Sequence, residues 1–455
     1  MDFKSYIHAH SEELLASLGA LVRIPSVEGE PEEGAPFGRE PARCLDEMLA
    51  LCEKLGFPTT NMDHRVGWCE FGEGEEMVAV LGHLDVVPAG DGWSESEPFS
   101  GVIKNGRIYG RGTMDDKGPM VAAVYALKAL KESGFQPKKR LRVIFGTNEE
   151  TGCGDMAWYA AHGGETPVMG FTPDGEYPLI NGEKGILNGT YTRTLHQTGD
   201  YILTRFEGGA ASNISPAYAV AEVRCPAEAA SKIAAEKVTV TPIEGGIRVE
   251  AEGVAVHGST PELGENAIGR LAMALAQLPF TGETGECLAF LSERLGMETR
   301  GESLGLAMRD EVSGDLTMNI GVASFENDAL SLTFSVRYPV TLPYELVYPR
   351  LKRGFTLGGF TETEMSHAAP LYVPKDNELV RRLLAVYEAE TGEKAEPKSI
   401  GGGTYAKSMP NIVAFGPIFP GDEVREHKPD EYMETARVIQ NAEIIAAAMK
   451  ALAEK

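Results

Sequence analysis

The sequence predicts an α/β fold, a three-layer sandwich around a mainly parallel sheet, with an α+β domain inserted into it. Short apolar, β-prone runs alternate with helical patterns over residues 1–188, which is typical of a parallel sheet covered by helices. Polar residues cluster directly after successive predicted strands, where such sheets place their sites. Beyond Asn188 the pattern changes to alternating Thr, Val and Glu, which indicates a separate α+β domain.

The chain length also favours more than one domain. Its 455 residues exceed what a single ordinary core organises. We predict that residues 1–188 and 372–455 form one domain and that residues 189–371 form the inserted domain.

Apolar periodicity, start signals and stop signals define the individual elements. Helices are expected at the N-terminus up to Val22 and at 40–55, 119–132, 266–277, 377–390 and 431–452. Strands are expected at 77–81, 141–145, 168–171 and 412–415. Asn105-Gly106 predicts the turn of a hairpin over residues 101–109.

Composition excludes several classes of partner. The formal net charge is −25, which argues against binding to nucleic acid or to an anionic membrane. No apolar run is long enough to span a bilayer, and the N-terminus lacks the pattern of a signal peptide. The six cysteines form no C-x-x-C pair and are expected to be reduced thiols of a cytoplasmic protein.

His83 and Asp85 follow the apolar run that begins at Met77, and they lie two residues apart. On an extended backbone both side chains point to the same side. An imidazole beside a carboxylate suits a metal site, since one ring nitrogen binds the cation while the carboxylate fixes the tautomer. A strand-end histidine followed by a turn-capping aspartate is the structural alternative.

Further candidate ligands follow later strands. They are Asp115 or Asp116, Glu149 or Glu150, Asp174 and, near the end of the chain, His427. Each has an alternative explanation, such as carboxylates at a helix N-terminus or a turn at Pro-Asp-Gly. Mixed histidine and carboxylate ligands suit Zn²⁺, Mn²⁺ or Co²⁺. Five ligands fit two bridged ions, and one glutamate of the pair could act as a base while its neighbour binds metal.

Taken in order, these segments resemble the co-catalytic two-zinc metallopeptidases, a family that includes carboxypeptidase G, acetylornithine deacetylase, succinyl-diaminopimelate desuccinylase, aminoacylase and carnosinase. The segments that carry the resemblance are GHLDVVP (82–88), GRGTMDDKGP (110–119), TNEETG (147–152), PDGE (173–176) and REHKPDE (425–431). They span nearly the whole chain.

The resemblance implies a role for each matching residue. The implied metal ligands are His83, Asp115, Glu150, Asp174 and His427. Asp115 would bridge two Zn²⁺ ions, and its bond to Asp116 is cis in the family. Asp85 resembles the carboxylate that supports His83, and Glu149 resembles the general base.

Shorter motifs resemble the dipeptidase V branch, the Xaa-His or carnosinase-like bacterial dipeptidases. They are GGGTYA (401–406), AFGP (414–417), FPG (419–421) and VHGSTP (256–261). The inserted domain would then be a lid that brings His257, Asn213 and Arg337 to the substrate, with Arg337 binding the C-terminal carboxylate. The motif at 401–406 would add Gly402, Gly403 and Thr404 as substrate contacts.

The expected function is therefore a cytoplasmic two-metal dipeptidase. A hydroxide bridging two Zn²⁺ (Mn²⁺ or Co²⁺ as alternatives) would attack the peptide carbonyl, with Glu149 as base. An N-acyl amino acid deacylase would share these residues, and a metal-dependent binding protein could keep the fold without turnover. The length of the insert, 189–371, predicts a monomer in which the second half of the lid replaces a partner subunit.

Overall fold

The computed structural model describes residues 1–454 and divides the chain into two compact units. Unit 1 comprises Met1–Asn181, Val373–Lys398 and the residues from Gly403 to the end of the described chain. Unit 2 comprises Gly182–Tyr372 and Ser399–Gly402. The proposed domain 372–455 ends one residue outside the described chain.

The first part of unit 1, through the strand that leads into unit 2, contains helices and strands in alternation. The helices are α1 (Phe3–Ala9), α2 (Ser11–Val22), α3 (Arg39–Lys54), α4 (Lys117–Glu132) and α5 (Gly154–Ala161). The strands are β1 (Thr59–Met62), β2 (Val66–Phe71), β3 (Met77–His83), β4 (Val102–Lys104), β5 (Arg107–Tyr109), β6 (Arg140–Gly146), β7 (Met169–Thr172) and β8 (Ile180–Glu183).

Unit 2 is built mainly from strands. They are β9 (Gly185–Thr194), β10 (Gln197–Thr198), β11 (Ile202–Gly208), β12 (Tyr218–Arg224), β13 (Val238–Ile243), β14 (Gly246–Glu252), β15 (Arg309–Asp310), β16 (Gly314–Asp315), β17 (Thr317–Glu326), β18 (Ala329–Tyr338), β19 (Thr361–Ala368) and β20 (Leu371–Tyr372). Its helices are α6 (Ala267–Leu275), α7 (Gly282–Arg294) and α8 (Tyr344–Leu357).

The last part of the chain returns to unit 1, apart from Ser399–Gly402, which belong to unit 2. It contains α9 (Glu378–Thr391), β21 (Lys398–Ile400), β22 (Ile412–Ala414), β23 (Tyr432–Glu434) and α10 (Thr435–Ala453).

The sheet of unit 1 is parallel at its centre and antiparallel at its edges. The parallel strands lie in the order β6-β3-β7-β22, and β2 and β8 flank them antiparallel. Every residue of β3 is buried. Since successive side chains of a strand point to opposite faces, both faces of the centre are covered. Helices α4 and α10 contact β3 and β6, and α3 and α5 contact β2, so the predicted three-layer sandwich is confirmed.

Unit 2 contains an antiparallel sheet in the order β13-β14-β12-β11-β17-β18-β9-β19. Buried and less buried residues alternate along β9, as expected for a sheet with one covered face. Only two residue pairs, Glu207 with Ser324 and Gly208 with Ala323, join β11 to β17 in the described chain. The sheet is therefore two four-stranded halves that meet at one short ladder, and the predicted α+β insert is confirmed.

The insert begins earlier in the structure than the expected residue 189. Residues 185–188 already belong to β9, and they pair with Ser335–Tyr338 of β18 inside unit 2. A change in composition does not mark this point, because the pairing that defines the unit is with a strand about 150 residues later in the chain.

The predicted hairpin is present as β4 and β5, and positive φ angles at Asn105 and Gly106 fit its two-residue turn. The single N-terminal helix was wrong, because the chain breaks at His10. Nδ1 of the His10 ring donates a hydrogen bond to the Tyr6 carbonyl oxygen, 2.8 Å away, and the ring stacks on that of Tyr6. His10 thus satisfies a carbonyl group at the end of α1.

Other elements differ from expectation for reasons of packing. Helix α10 begins at Thr435 rather than 431, because residues 432–434 pair with β5. Helices α7 and α8 were not predicted. Gly282 and Gly285 lie in α7 and Pro349 lies in α8, and these residues weaken a helical pattern. None of the helices in the described range is long and apolar enough to cross a membrane.

Candidate metal centre and substrate contacts

Three parallel strands of unit 1 bring polar residues to one edge of the sheet. His83 ends β3 and pairs with Gly146, which ends β6 just before Glu149 and Glu150. Strand β7 ends at Thr172, two residues before Asp174. Because the carboxyl ends of parallel strands meet at one edge, these side chains lie together.

His83 is fully buried, and contacts at both nitrogens fix the orientation of its ring. Nδ1 lies 3.0 Å from the backbone carbonyl oxygen of Asp85. A carbonyl only accepts, so Nδ1 carries a proton, and Nε2 is the ring nitrogen that faces the carboxylates of the cluster. Nε2 lies 2.9 Å from Oδ1 of Asp115 and 4.0 Å from Oδ2 of Asp174.

Asp115 lies between two imidazoles. Its second oxygen, Oδ2, is 3.0 Å from Nε2 of His427, and that nitrogen is also 3.0 Å from Oε2 of Glu150. Asp115 therefore contacts one imidazole through each of its two carboxylate oxygens. Its peptide bond to Asp116 is cis, as the resemblance implies.

The carboxylate of Asp85 supports the glutamate pair. Its two oxygens accept the backbone N–H groups of Glu149 and Glu150 at 3.1 and 3.0 Å. The same carboxylate lies 3.5 Å from Nδ1 of His83. Asp85 thus contacts His83 chiefly through its carbonyl oxygen, while its carboxylate fixes the loop that carries the two glutamates.

Burial and mutual repulsion shift the pKa values of the carboxyl groups in this cluster. Burial, followed by repulsion from neighbouring carboxylates, raises the pKa of Glu149 well above its usual value and also raises the pKa of Glu150. Burial opposes ionisation of Asp115 too, but hydrogen bonds from His427 and His83 outweigh it and lower the pKa. Buried carboxylates that repel one another are stabilised by bound cations.

Two overlapping groups of donor atoms could each hold a cation. One group is His83, Glu149 and Asp174, and the other is His83, Asp115 and Glu150; within each, the atoms lie within 4.8 Å of one another. Oδ1 of the fully buried Asp116 has no hydrogen-bond partner among the described residues. Imidazole and carboxylate donors fit Zn²⁺, Mn²⁺ or Co²⁺, so the residues present fit a divalent metal centre.

A buried ion pair supports the turn that carries Asp115, and it was not predicted from the sequence. Arg111 donates to Glu431 at 2.6 Å, and both side chains are almost fully buried. Oε1 of Glu431 also accepts the backbone N–H groups of Gly112, Met114 and Asp115. Glu431 therefore fixes the turn that presents Asp115, and its only sequence signal was its place in the last motif.

Asp155 and Tyr405 form a second supporting contact that the sequence did not reveal. The Tyr405 hydroxyl donates to Oδ2 of Asp155, which also accepts the N–H groups of Thr147 and Asn148. Burial raises the pKa of Asp155 to about 6.

Glu426 is a further buried carboxyl that was not predicted from the sequence. Burial, then repulsion by Asp115, raises its pKa well above the usual value.

In unit 2, His257 is exposed and its ring is held in one tautomer. The backbone N–H of Ser259 points to Nδ1 at 3.2 Å, and the Ser259 hydroxyl lies 2.7 Å from the same nitrogen. Because a backbone N–H only donates, Nδ1 accepts and Nε2 of the neutral ring carries the proton. Asn213 lies beside this turn, since its carbonyl oxygen accepts the Gly258 N–H at 2.6 Å.

Arg337 is buried in unit 2 without a carboxylate partner. Only 6% of the residue is exposed, its Nη1 donates to the Gly401 carbonyl oxygen at 3.4 Å, and its Nε has no partner among the described residues. Burial lowers the pKa of the guanidinium to about 10. A buried, unneutralised guanidinium is a ready site for an anion.

The glycine-rich segment crosses the boundary between the units. Gly402 belongs to unit 2, whereas Gly403 and Thr404 belong to unit 1. The Thr404 hydroxyl accepts the Ala406 N–H at 3.1 Å and so caps the short turn Tyr405–Ser408.

Sequence comparison identifies relatives of the whole chain. The model of the family described as Peptidase family M20/M25/M40 matches residues 79–452. The Beta-Ala-Xaa dipeptidase of Lactobacillus delbrueckii subsp. lactis is 34% identical over 462 residues, covering 99% of this chain and 98% of that protein. A provisionally named dipeptidase, YtjP of Bacillus subtilis (strain 168), is 36% identical over 470 residues and covers 100% of both chains.

Structural comparison finds the same fold at lower identity. The aminoacylhistidine dipeptidase of Vibrio alginolyticus matches with a TM-score of 0.59 at 16% identity, covering 97% of both chains. The di-peptidase Dug1p of Saccharomyces cerevisiae matches with a TM-score of 0.61 at 15% identity, covering 100% of this chain and 98% of that one.

Proposed function

The chain belongs to peptidase family M20/M25/M40, and on that premise we propose that it is a two-metal dipeptidase. Its substrates would be dipeptides with a free C-terminal carboxylate. The relatives named as dipeptidases, which align over essentially the whole chain, support this class of substrate.

One observation carries the proposal. The side chains of His83, Asp115, His427 and Glu150 form an unbroken series, with neighbouring donor atoms 2.9, 3.0 and 3.0 Å apart. A bridging carboxylate flanked by an imidazole on each side suits a pair of divalent cations. With Asp174 beside His83, this series would hold two Zn²⁺, or Mn²⁺ or Co²⁺ in their place.

Two cations bound there would supply Lewis acidity, which polarises a peptide carbonyl and lowers the pKa of water. Glu149 would take a proton from the attacking water on a carboxylate oxygen and pass it to the leaving amine nitrogen. Asp85 would keep that carboxylate in place through the N–H groups of residues 149 and 150.

Unit 2 would act as a lid that completes the site. His257 would donate its Nε2–H to the oxygen of the reacting carbonyl, in the tautomer that Ser259 selects. Arg337 would bind the C-terminal carboxylate of the substrate, which would neutralise its buried charge. Asn213, Gly402, Gly403 and Thr404 would line the remainder of the substrate site.

The sheet of unit 2 favours a monomer with a self-contained lid. Its two halves, joined only at β11 and β17, lie in one chain, so no partner subunit is needed to complete the sheet. The cysteines of the described chain are all free thiols, which supports a reducing, cytoplasmic environment.

A hydrolysis screen tests the proposed function. Metal-depleted protein would be reloaded with Zn²⁺, Mn²⁺ or Co²⁺ and offered dipeptides, tripeptides and N-acetyl amino acids. We expect turnover of dipeptides that depends on added metal. Preference for N-acetyl amino acids would instead identify an N-acyl amino acid deacylase. Metal-dependent binding of dipeptides without turnover of any substrate would identify a binding protein.

A further inference from the structure

Unit 2 contains a cleft of about 720 Å³ that none of the proposed catalytic or substrate-binding residues lines. Its walls come from α7, α8 and the turn at Ser303–Gly305 between them. The volume lies in the range of about 300–1,000 Å³ that small-molecule sites occupy.

The cleft is basic, although the chain carries 67 acidic and 42 basic residues. Arg294, Arg350 and Arg353 line it, and no acidic side chain belongs to its described lining. Within the described chain none of the three forms an ion pair, and Arg294 donates only to the Ser303 carbonyl oxygen at 3.4 Å. By contrast, the nearby α7 residue Glu286 pairs with Arg193 at 3.2 Å.

The helix dipole accounts for the position of only one of the three arginines. Arg294 is the last residue of α7, where the helix dipole favours a cation. Arg350 and Arg353 lie before the last turn of α8, three residues apart and therefore on the same face. Like charges on one helix face repel each other, and a bound anion would offset that repulsion.

The same cleft also presents apolar surface. Phe290, Leu304 and Leu357 belong to its lining, and Leu357 is 77% exposed. An exposed leucine beside unpaired guanidinium groups suits a ligand with an apolar body and an anionic head.

We propose that this cleft binds an organic phosphate, with the phosphate on the three arginines and the apolar body on Phe290, Leu304 and Leu357. Phosphate monoesters carry nearly two negative charges at neutral pH and offer three acceptor oxygens. The planar guanidinium fork matches phosphate oxygens in bidentate pairs, and three such groups exceed what one carboxylate can accept. This site is separate in its residues from the proposed peptidase site, so its test does not depend on the proposed function.

The test is calorimetric titration of the metal-loaded, full-length protein with phenyl phosphate. Wild type would be compared with the double variant Arg350→Ala/Arg353→Ala and with the matched control Arg224→Ala, another exposed arginine of unit 2. We expect the double variant to bind at least about tenfold more weakly, because it loses two charged hydrogen-bond donors. The control should bind like wild type. Any phosphate bound at the metal centre would contribute equally in all three proteins.

Further binding measurements test which parts of the ligand the cleft recognises. Leu357→Ser should weaken the binding of phenyl phosphate but leave the affinity for inorganic phosphate unchanged, since the substitution removes only apolar contact. Equal affinity of wild type and the double variant for phenyl phosphate would overturn the proposal. Equal affinity of wild type for phenyl phosphate and inorganic phosphate would overturn the role of the apolar wall. If wild type self-associates in sedimentation and the double variant does not, the cleft binds a second copy of this chain, and the phosphate proposal is wrong. The substituted side chains are exposed, and unchanged thermal unfolding would verify the fold of each variant.

Discussion

The Asp85 carboxylate accepts the backbone N–H of Glu150 at 3.0 Å, so an aspartate outside the proposed ligand set fixes the position of a proposed metal ligand. The same carboxylate accepts the N–H of Glu149 at 3.1 Å. One buried side chain therefore positions both the proposed base and the neighbouring proposed metal ligand.

The first prediction concerns this positioning. Asp85→Ala leaves two backbone N–H groups without their acceptor, at a cost of about 1–3 kcal/mol each. We expect kcat to fall at least about tenfold, because a displaced base loses alignment with the reacting atoms. Steady-state kinetics with metal analysis would measure it, with the exposed Asp91→Ala as control. Unchanged kcat in Asp85→Ala would contradict a positioning role.

The second prediction separates base from ligand within the glutamate pair. Glu149→Ala should lower kcat by about 10²–10⁴-fold, the range for general acid–base catalysis, while the protein retains two metal ions. Glu150→Ala and His83→Ala should instead weaken metal binding, because each removes a proposed ligand. Metal content by elemental analysis and kcat would be measured on the same samples. An empty site in Glu149→Ala would show that the two roles are assigned wrongly.

The ends of the central strands of unit 1 could be predicted from the sequence, because the residue patterns that mark them are local. The apolar run before His83 and the registers of parallel strands bring His83, Glu150 and Asp174 to one edge, which is where open α/β sheets place their sites. Asp155 and Glu431 could not be predicted in the same way. Glu431 accepts hydrogen bonds from the turn that carries Asp115, and Asp155 accepts one from Tyr405. In both cases the partners are far apart in the chain, and no residue pattern indicates such a contact.

In unit 2 as well, helices marked by local residue patterns were predicted, whereas helices that depend on tertiary packing were not. Asn266 was recognisable as a helix start, and its side chain caps α6. Helix α7 was missed, because Gly282 and Gly285 weaken its intrinsic propensity. Cys287, Leu288 and Leu291 of α7 are buried in the hydrophobic core of unit 2, and this packing outweighs the low helix propensity of the glycines. A sequence pattern does not reveal such tertiary packing.

The third prediction concerns the length of the substrate. If Arg337 binds the C-terminal carboxylate, tripeptides should be poor substrates and C-terminally amidated dipeptides poorer still. Arg337→Ala should raise the free energy of the transition state by about 1.5–3 kcal/mol for dipeptides, the range for a hydrogen bond to a charged group. Arg224→Ala is the matched control. Equal kcat/KM for a dipeptide and its amide would exclude the carboxylate contact.

The fourth prediction gives that contact a pH dependence. Burial lowers the pKa of Arg337 to about 10, so the free protein loses this positive charge as pH rises through that value. Because a carboxylate binds the charged form, KM for dipeptides should rise above pH 10 by up to about tenfold per pH unit. KM for the dipeptide amide should not show this rise, since it lacks the carboxylate. Parallel profiles for the two substrates would refute the assignment.

The fifth prediction is that His257 serves the metal centre of its own chain. Both halves of the unit 2 sheet come from one chain, through the ladder between β11 and β17, so a partner is not needed to complete the lid. Glu149→Ala and His257→Ala proteins, each inactive, would be mixed and assayed. If the histidine acts within its own chain, every molecule in the mixture keeps one defect and activity does not return. Subunit exchange would be verified with differently tagged copies of any oligomer that forms. Recovery of substantial activity after such exchange would show that His257 reaches a partner's metal centre, and the self-contained lid would have to be abandoned.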